Sequence, residues 1–446
     1  MGTKTQKLSN VVDQIVEWQS VFTGDGSTGL TAVAGRGYFI DTTSGTVTVT
    51  LPVSPKAGDI VQLKDYARTW GTNAISMAST TFDGTSNTPS FSTNGQTVTL
   101  VYMDGTKGWS LINEDTTTSL GAQYVTATGG TVTTSGDYKI HTFTGDGCFV
   151  VSCAGNANGS NKVSYVVVAG GGSGMSKSAR NGTTAERYGM GGGGAGGYRE
   201  GKAPSFDTYT ASPLVAPDGL PVSVQTYPVT VGAGGAAVGV PSTASSGPNG
   251  SNSVFSTITS AGGGGGGYGS PCTYSTPGDP GGSGGGGGAG PPSEAGGNGN
   301  TPPVSPPQGN NGGLGKSSED TAAGGGGGAG AVGAAGASQV SPRVSCGGAG
   351  GAGVTSEITG SPVARAGGGG GGTGYPGEPG SGTVNQGAGG SGGGGAGGHN
   401  PNANGVAGTA NTGGGGGGAG GNGSSGTCTG GSGGKGVVII RYKFQN

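Results

Sequence analysis

Residues 261–270 read AGGGGGGYGS, and comparable glycine runs return five more times along the chain. These runs are GGSGGGGGAG (281–290), GGGGGAG (324–330), GGGGGG (367–372), GGGGAGG (392–398) and GGGGGGAGG (413–421). A residue without a side chain buries little apolar surface, and it loses more conformational freedom on folding than any other residue. Such runs are therefore either flexible spacers or segments that pack through their backbone groups alone.

The polyproline II conformation makes the packed arrangement possible. It has three residues per turn, rises about 3.1 Å per residue and forms no internal hydrogen bonds, so its N–H and C=O groups can bond neighbouring chains. The runs here are similar in length, are separated by distinct loops and are flanked by strand-like segments. Contiguous glycines without a Gly-X-Y period exclude collagen. The pattern favours packed polyglycine II helices anchored to a β-sheet over a set of spacers.

Glycine is concentrated in the second part of the chain. Residues 1–150 hold 19 of the 114 glycines, which leaves 95 for the other 296 residues. This step in glycine content predicts a domain boundary near residues 120–160.

The net charge is −2 and no basic block occurs, so we expect no nucleic-acid partner. We also expect no membrane insertion, because no stretch approaches the roughly 20 apolar residues that a spanning helix needs.

The first part of the chain predicts an attachment segment at 1–29 and a small β-module at 30–120. Apolar residues recur with a largely helical rhythm in LSNVVDQIVEWQS (8–20), which predicts a short N-terminal helix that serves oligomerisation or packs on its own domain. In TVTVTLP (46–52), Val47, Val49 and Leu51 alternate with polar residues, as in a half-buried strand. Further short strands separated by turns favour a β-sandwich or a barrel-like unit. The predicted fold class is all-β.

The remainder, 121–446, is predicted to be one glycine-rich domain. Strand-like segments at 138–170, 222–232, 253–260 and 436–444 bracket the glycine runs. Val437 to Ile440 form an apolar run typical of a buried strand. The chain is therefore expected to leave a small sheet, make many glycine-rich passes and return to the sheet.

Two resemblances to known families follow from these motifs. The β-module resembles small units of bacteriophage fibre and other virion proteins, which implies a structural and often trimeric element. The second part is identified as a member of a glycine-rich family found in phage tail fibres, notably of marine and cyanobacterial phages, and in some bacterial surface proteins. Its motifs occur in order: HTFTGDG (141–147), YVVVAGGGSG (165–174), GGGGAGGYREG (191–201), YPVTVGAGG (227–235), SVFSTITSAGGGGGG (253–267) and GGSGGKGVVIIRYKF (430–444).

The loops between glycine runs carry the candidate binding residues. Large side chains suited to an adhesive surface are Tyr268, Tyr274, Arg365, Tyr375 and His399. Each of them could instead simply cover a loop end. No catalytic motif, metal-ligand spacing or cofactor-binding motif stands out, so we expect no enzyme, metal or cofactor. The five cysteines form no CxxC pair, although a bridge among Cys272, Cys346 and Cys428 remains open.

The resemblance implies a bacteriophage virion protein, namely a tail fibre or fibre-tip adhesin exposed on the particle. Its expected partners are a host surface glycan or outer-membrane protein, other virion proteins that contact the N-terminal region, and two further copies in a homotrimer. The alternative is a purely structural virion or bacterial surface protein that binds no receptor.

Overall fold

The computed structural model describes residues 16–112, 123–156, 159–177, 188–239, 245–270, 275–316, 321–340, 343–374, 384–399, 404–421 and 427–445. These residues form 29 β-strands and no α-helix, which confirms the all-β class. They divide into two compact units, one containing the residues up to Val125 with Ala154–Asn161, the other Thr126–Cys153 with Lys162–Asn446. In the described ranges, no helix is long and apolar enough to cross a membrane.

The first unit contains twelve short strands in two sheets. They are β1 (Glu17–Trp18), β2 (Phe22–Thr23), β3 (Leu30–Thr31), β4 (Arg36–Asp41), β5 (Val47–Thr50), β6 (Ile60–Asp65), β7 (Ile75–Met77), β8 (Thr80–Phe82), β9 (Thr85–Asn87), β10 (Ser90–Phe91), β11 (Thr97–Asp104) and β12 (Gly108–Leu111). One sheet has the order β1-β4-β6-β11-β12-β8-β9, with β2 also paired to β4, and the other has the order β10-β7-β5-β3. From β3 to β7, successive strands alternate between the sheets and pair in parallel within each sheet.

One hydrophobic core lies between these two sheets. The inward face of β5 supplies Val47 and Val49, which are fully buried together with Trp70 and Trp109. The alternation in TVTVTLP therefore correctly predicts which face is buried. Neither sheet closes on itself within the described part of this unit, so the barrel-like alternative is not supported and a two-sheet sandwich is.

The predicted N-terminal helix is not supported where the structure describes it. Residues 1–15 lie outside the described residues, and Glu17–Trp18 form β1, which pairs in parallel with β4. Val16 is buried, and the Trp18 ring stacks on Phe39 with 4.5 Å between ring centroids. These tertiary contacts outweigh the helical spacing of the apolar residues, since propensity is a weak prior against packing.

The second unit contains the remaining strands. They are β13 (Val125–Thr128), which begins at the boundary, β14 (Thr131–Ser135), β15 (Tyr138–Phe143), β16 (Gly147–Ala154), β17 (Lys162–Val168), β18 (Tyr198–Gly201), β19 (Val215–Ala216), β20 (Leu220–Pro221), β21 (Thr226–Thr230), β22 (Ser253–Phe255), β23 (Ile258–Ser260), β24 (Ala337–Val340), β25 (Arg343–Cys346), β26 (Val354–Ser356), β27 (Val363–Arg365), β28 (Val384–Asn385) and β29 (Val437–Lys443). The two larger sheets have the orders β13-β16-β21-β22-β23 and β14-β15-β29-β17-β18-β19, with β20 on β17. Two small sheets, β24-β25-β28 and β26-β27, complete the set.

The last strand returns to the sheet from which the glycine-rich region departs. β29 lies between β15 and β17 and is antiparallel to both. Its residues Val437 to Ile440 are buried, as their apolar run predicts. The chain thus leaves the sheet at the end of β17, rejoins it with β18, β19 and β20, and closes it with β29 after the remaining glycine-rich passes.

An aromatic cluster joins the two larger sheets. The Phe149 ring contacts His141 and Tyr442 at centroid distances of 5.1 and 6.1 Å. His141 Nδ1 lies 2.7 Å from the Gly129 carbonyl oxygen, to which it donates, and His141 Nε2 accepts from the Tyr442 hydroxyl at 3.1 Å. Burial lowers the pKa of His141 and raises the pKa of Tyr442 to about 12. This histidine is a structural residue of the sheet interface.

Candidate functional site

Residues 189–197, here called the central pass, donate hydrogen bonds with a period of three residues. The amides of Gly189, Gly192 and Ala195 donate to the pass at 321–330. The amides one residue further along, at 190, 193 and 196, donate to the pass at 413–421, and those at 191, 194 and 197 donate to the pass at 261–270. All nine N···O distances lie between 2.7 and 3.1 Å. Three neighbours contacted in rotation correspond to three residues per turn.

The carbonyl groups of the central pass follow the same rotation toward three other neighbours. Those of residues 189, 192 and 195 accept from the pass at 281–290, and those of 190 and 193 accept from the pass at 366–374. Those of 191, 194 and 197 accept from the pass at 169–177. The central pass therefore has six neighbours, three that it donates to and three that donate to it. This arrangement satisfies the buried backbone groups with no side chain involved.

The spacing around the central pass leaves no room for a side chain at its glycines. A Cβ atom added at any of the glycines 189, 191, 192, 193, 194 or 196 would lie 2.1 to 2.3 Å from a carbonyl oxygen of a neighbouring pass. Real contacts of this kind exceed about 3 Å. Glycine is therefore required here by close approach, as at the axis of collagen. A substitution at one of these glycines would therefore force the neighbouring passes apart.

An outer pass shows the same period with one side open. In residues 331–336, the amides of Ala331 and Ala334 donate to the pass at 347–353, and those of Gly333 and Gly336 donate to the pass at 308–316. The amides of Val332 and Ala335 have no backbone acceptor among the described residues. Val332 is 62% exposed. Glycine at every third position, with larger residues between, therefore marks a pass at the bundle surface.

The bundle has two chemically different ends. At the end next to the sheets, Ala195, Ala329 and Ala366 pack into one cluster with Val168 and Ile439. The opposite end, here called the distal end, is closed by a small cluster of Met175, Met190, Ala419 and Cys428, with the partly buried ring of Tyr268 against it. The large apolar side chains Met175 and Met190 thus lie at the distal end.

The structure places Tyr268 and His399 at the distal end. Tyr268 is half-buried, and its amide donates to Thr276 Oγ1 at 2.8 Å. His399 is exposed and follows Gly398, whose amide donates to the Gly418 carbonyl at 2.8 Å. His399 therefore presents its side chain to solvent, whereas the Tyr268 ring is partly used in packing.

Tyr274 and Tyr375 lie outside the described residues, but hydrogen bonds fix the position of the last described residue before each of them. Ser270 is held at the distal end by its amide, which donates to the Ala289 carbonyl at 2.9 Å. Gly374 is held at the same end by its amide, which donates to the Thr321 carbonyl at 2.9 Å. Ser270 and Gly374, the last described residues before the segments with these two tyrosines, therefore lie at the end that holds Tyr268 and His399.

Arg365 is placed away from the other candidates. It is the last residue of β27, next to the sheets, and only 6% of it is exposed. Burial lowers the pKa of its guanidinium, and Nη1 donates to the Val363 carbonyl at 3.4 Å. A side chain buried in this way is not offered to a partner at the distal end.

A buried polar cluster at the sheet end escaped the sequence reasoning. The Glu200 carboxylate accepts from the Tyr198 hydroxyl at 2.9 Å, the Ser212 amide at 2.9 Å and the Ser356 hydroxyl at 2.6 Å. Burial, and the nearby charge of Glu200, raise the pKa of Tyr198. The signal in the sequence was a charged residue within one of the glycine-rich motifs, because Glu200 belongs to the YREG segment of β18.

A second buried charge lies in the same region. Arg441 Nε donates to Asp207 at 2.9 Å, and the Arg441 guanidinium lies 4.1 Å from the centre of the Tyr138 ring. Both members of this ion pair are almost fully buried. Because solvent does not reach either group, the cluster fastens β29 to its neighbours and offers no site for a substrate.

Metal and thiol chemistry also have no geometric basis in the described ranges. They contain no group of three or more His, Cys, Asp or Glu residues that could hold a metal ion. Among the described cysteines, Cys148, Cys153 and Cys346 form no disulfide, Cys428 is buried in the distal cluster, and Cys272 lies outside the described residues.

Comparison with known proteins identifies a family for the glycine-rich part of the chain. A family model described as a glycine-rich domain matches residues 144–443. No curated protein matches the chain. The matched range covers about two thirds of the chain and runs from the turn after β15 to the last residue of β29, which is the unit that holds the bundle. The chain belongs to this glycine-rich domain family.

Proposed function

We propose that this chain is a bacteriophage fibre or fibre-tip protein that binds a host cell-surface receptor with the distal end of its glycine-rich bundle. In this proposal the passes are polyglycine II helices that form a rigid body. The receptor is a surface glycan or an outer-membrane protein, and the first unit attaches the chain to other virion proteins or to its own copies in a trimer.

The observation that carries the proposal is the convergence of loop ends at the distal end. Tyr268 with Ser270, Gly374 and Gly398 with His399 come from three separate stretches of sequence, and the amides of Ser270, Gly374 and Gly398 hold these stretches at one end through hydrogen bonds to neighbouring passes. Binding residues are commonly carried by loops on a rigid scaffold. The bundle supports this role because a side chain at its close-packed glycines would meet a neighbouring backbone, whereas the distal end accepts large side chains such as Tyr268 and Met190.

The mechanism that follows is reversible and multivalent attachment. Tyrosine provides a rigid contact surface with a polar end at low entropic cost. Weak contacts made by several copies raise the overall strength of attachment by a factor of about 10²–10⁴ when the geometry permits simultaneous binding. A trimer would supply such copies, and native mass spectrometry of the full chain should then show three copies per complex.

Adsorption of particles tests the receptor role. Exchange of the loops at 268–280 and 373–386 for those of a related fibre should abolish or redirect attachment while particles still assemble. His399→Ala, at an exposed distal position, should weaken adsorption. Tyr66→Ala removes an exposed ring from the first unit and serves as the matched control, with normal adsorption expected. Normal adsorption by the loop-exchange particles would contradict the receptor role.

A second candidate function is structural, and one feature favours it. The outer passes expose small apolar residues, among them Val332, Ala335, Ala349 and Ala352. A flat surface of this composition suits packing against another protein. Electron microscopy with antibody-labelled particles separates the two functions. An exposed distal location supports adhesion, whereas burial in a neck or baseplate supports the structural role.

A further inference from the structure

The first unit contains an open cleft with a volume of about 330 Å³. Its walls come from three connections in the sandwich. Thr50 to Val53 form the end of β5 and the residues after it, Ala78 to Thr81 connect β7 with β8, and Tyr102 and Trp109 come from the hairpin of β11 and β12. The cleft therefore lies where strands of both sheets end.

Two local irregularities shape this cleft. The pairing of β11 with β12 shifts register between Tyr102 and Asp104, and such a bulge changes the direction of nearby side chains. At Gly108, φ is +69° and a Cβ atom would lie 2.0 Å from the Thr81 carbonyl oxygen. A residue other than glycine would therefore push β12 away from β8 and change the floor of the cleft.

The aromatic side chains in the cleft are held in place. The Tyr102 ring is partly buried and meets Trp109 edge to face, with 5.6 Å between centroids. Trp109 is only 2% exposed and belongs to the core. The contact with the buried Trp109 indole therefore holds the partly exposed Tyr102 ring in place.

The chemistry of the lining points to an uncharged ligand with both apolar and hydroxyl-bearing faces. Val53 and Pro52 supply apolar surface, and Ser79, Thr80 and Thr81 supply hydroxyl groups that can donate or accept. None of the described lining residues is charged. A pyranose sugar has this dual character, and a volume of this size holds one or two such rings but no long extended peptide.

We propose that this cleft binds a neutral pyranose unit of a glycan, with its apolar face on the Tyr102 ring and its hydroxyl groups on the Ser79–Thr81 segment. The site binds without cleaving, because glycoside hydrolysis requires two carboxyl groups beside the bond and the described lining has none. This site is separate from the receptor function proposed for the distal end of the bundle, since it depends on residues of the first unit alone.

Titration of the full chain with glucose, galactose, mannose and N-acetylglucosamine tests the proposal. Trp109 borders the cleft, so its fluorescence and its indole NMR signal should change on binding. We expect saturation by at least one of these sugars at millimolar concentration, which is typical of a small site with few contacts. Tyr102→Ala should weaken that binding roughly tenfold or more, because the loss of a ring contact is worth about 1 unit of log Kd.

Matched variants separate loss of the site from loss of the fold. Tyr66→Ala removes an exposed ring outside the cleft and should leave binding unchanged. Ser79→Phe, at an exposed position in the lining, fills the opening without altering the core and should abolish binding even if Tyr102→Ala impairs folding. No response to any of the four sugars at about 50 mM would overturn the proposal. Binding that persists in both Tyr102→Ala and Ser79→Phe would overturn it equally.

Discussion

Replacement of Gly193 by alanine should destabilise the glycine-rich unit more than any ordinary surface substitution. The new Cβ atom would lie 2.2 Å from the Gly172 carbonyl oxygen and 2.6 Å from its carbon. The contact is with backbone on a neighbouring pass, so no side chain can rotate to relieve it. The pass at 169–177 must therefore move away from the central pass by about 1 Å.

The cost of that movement follows from the bonds it breaks. The two passes are joined by hydrogen bonds from Gly172 to the Gly194 carbonyl at 2.8 Å and from Met175 to the Gly191 carbonyl at 3.1 Å. Each buried group left without a partner costs about 1–3 kcal/mol, and overpacking alone costs about 1–3 kcal/mol. With one such group left without a partner, these two costs add up, and we expect Gly193→Ala to lower the free energy of unfolding by about 2–6 kcal/mol.

Gly239→Ala is the matched control, because a Cβ atom added at that exposed glycine meets nothing within 4 Å. It should be neutral or stabilise by up to about 1 kcal/mol through the unfolded state. Differential scanning calorimetry of the full chain measures both variants. The three tryptophans, Trp18, Trp70 and Trp109, all lie in the first unit, so their fluorescence identifies its transition separately. Equal stabilities of the two variants would refute the close-packing argument.

Three further perturbations have defined outcomes. Burial holds the pKa of His141 below its ordinary 6.5, so the unfolded state binds the proton more readily and the protein should lose stability as pH drops below about 6.5. The melting temperature of His141→Gln should therefore depend less on pH, and an unchanged dependence would argue against a role of this residue. Asp207→Asn leaves the buried Arg441 guanidinium without its charged partner and should lower the free energy of unfolding, measured in urea, by about 3–5 kcal/mol. Asp218→Asn, in a half-exposed pair, should lower it by less than about 1 kcal/mol, and similar losses in both variants would contradict a stabilising role of the buried Arg441–Asp207 pair. Iodoacetamide should label the exposed Cys148 rapidly and the buried Cys428 slowly, because burial raises the pKa of Cys428. Peptide mass spectrometry measures both rates, and faster labelling of Cys428 would be inconsistent with a closed distal end.

The strands that the sequence predicts correctly are those whose side chains carry the signal. Alternation in β5 identifies Val47 and Val49 as buried, and the apolar run of β29 identifies a central strand. The predicted N-terminal helix is not supported at its described end, where the Trp18 ring stacks on Phe39 and β1 joins a sheet. Such long-range contacts are not visible in a local pattern.

The order of passes in the bundle could not be predicted, because a glycine run carries no side chain that specifies its neighbour or register. One signal was nevertheless present. Gly330, Gly333 and Gly336 recur at every third position with alanine or valine between them, and the structure places this segment at the bundle surface. The candidate residues show the same limit. The sequence predicted Arg365 and His399 alike as binding residues, whereas the structure buries Arg365 and exposes His399.

Amide hydrogen exchange of residues 331–336, read residue by residue by NMR, tests the packed bundle most directly. The hydrogen bonds predict slow exchange at 331, 333, 334 and 336 and fast exchange at 332 and 335, which is a period of three. Strand pairing at a sheet edge would instead produce a period of two. Uniformly fast exchange, as in a flexible glycine-rich linker, would contradict the existence of the bundle.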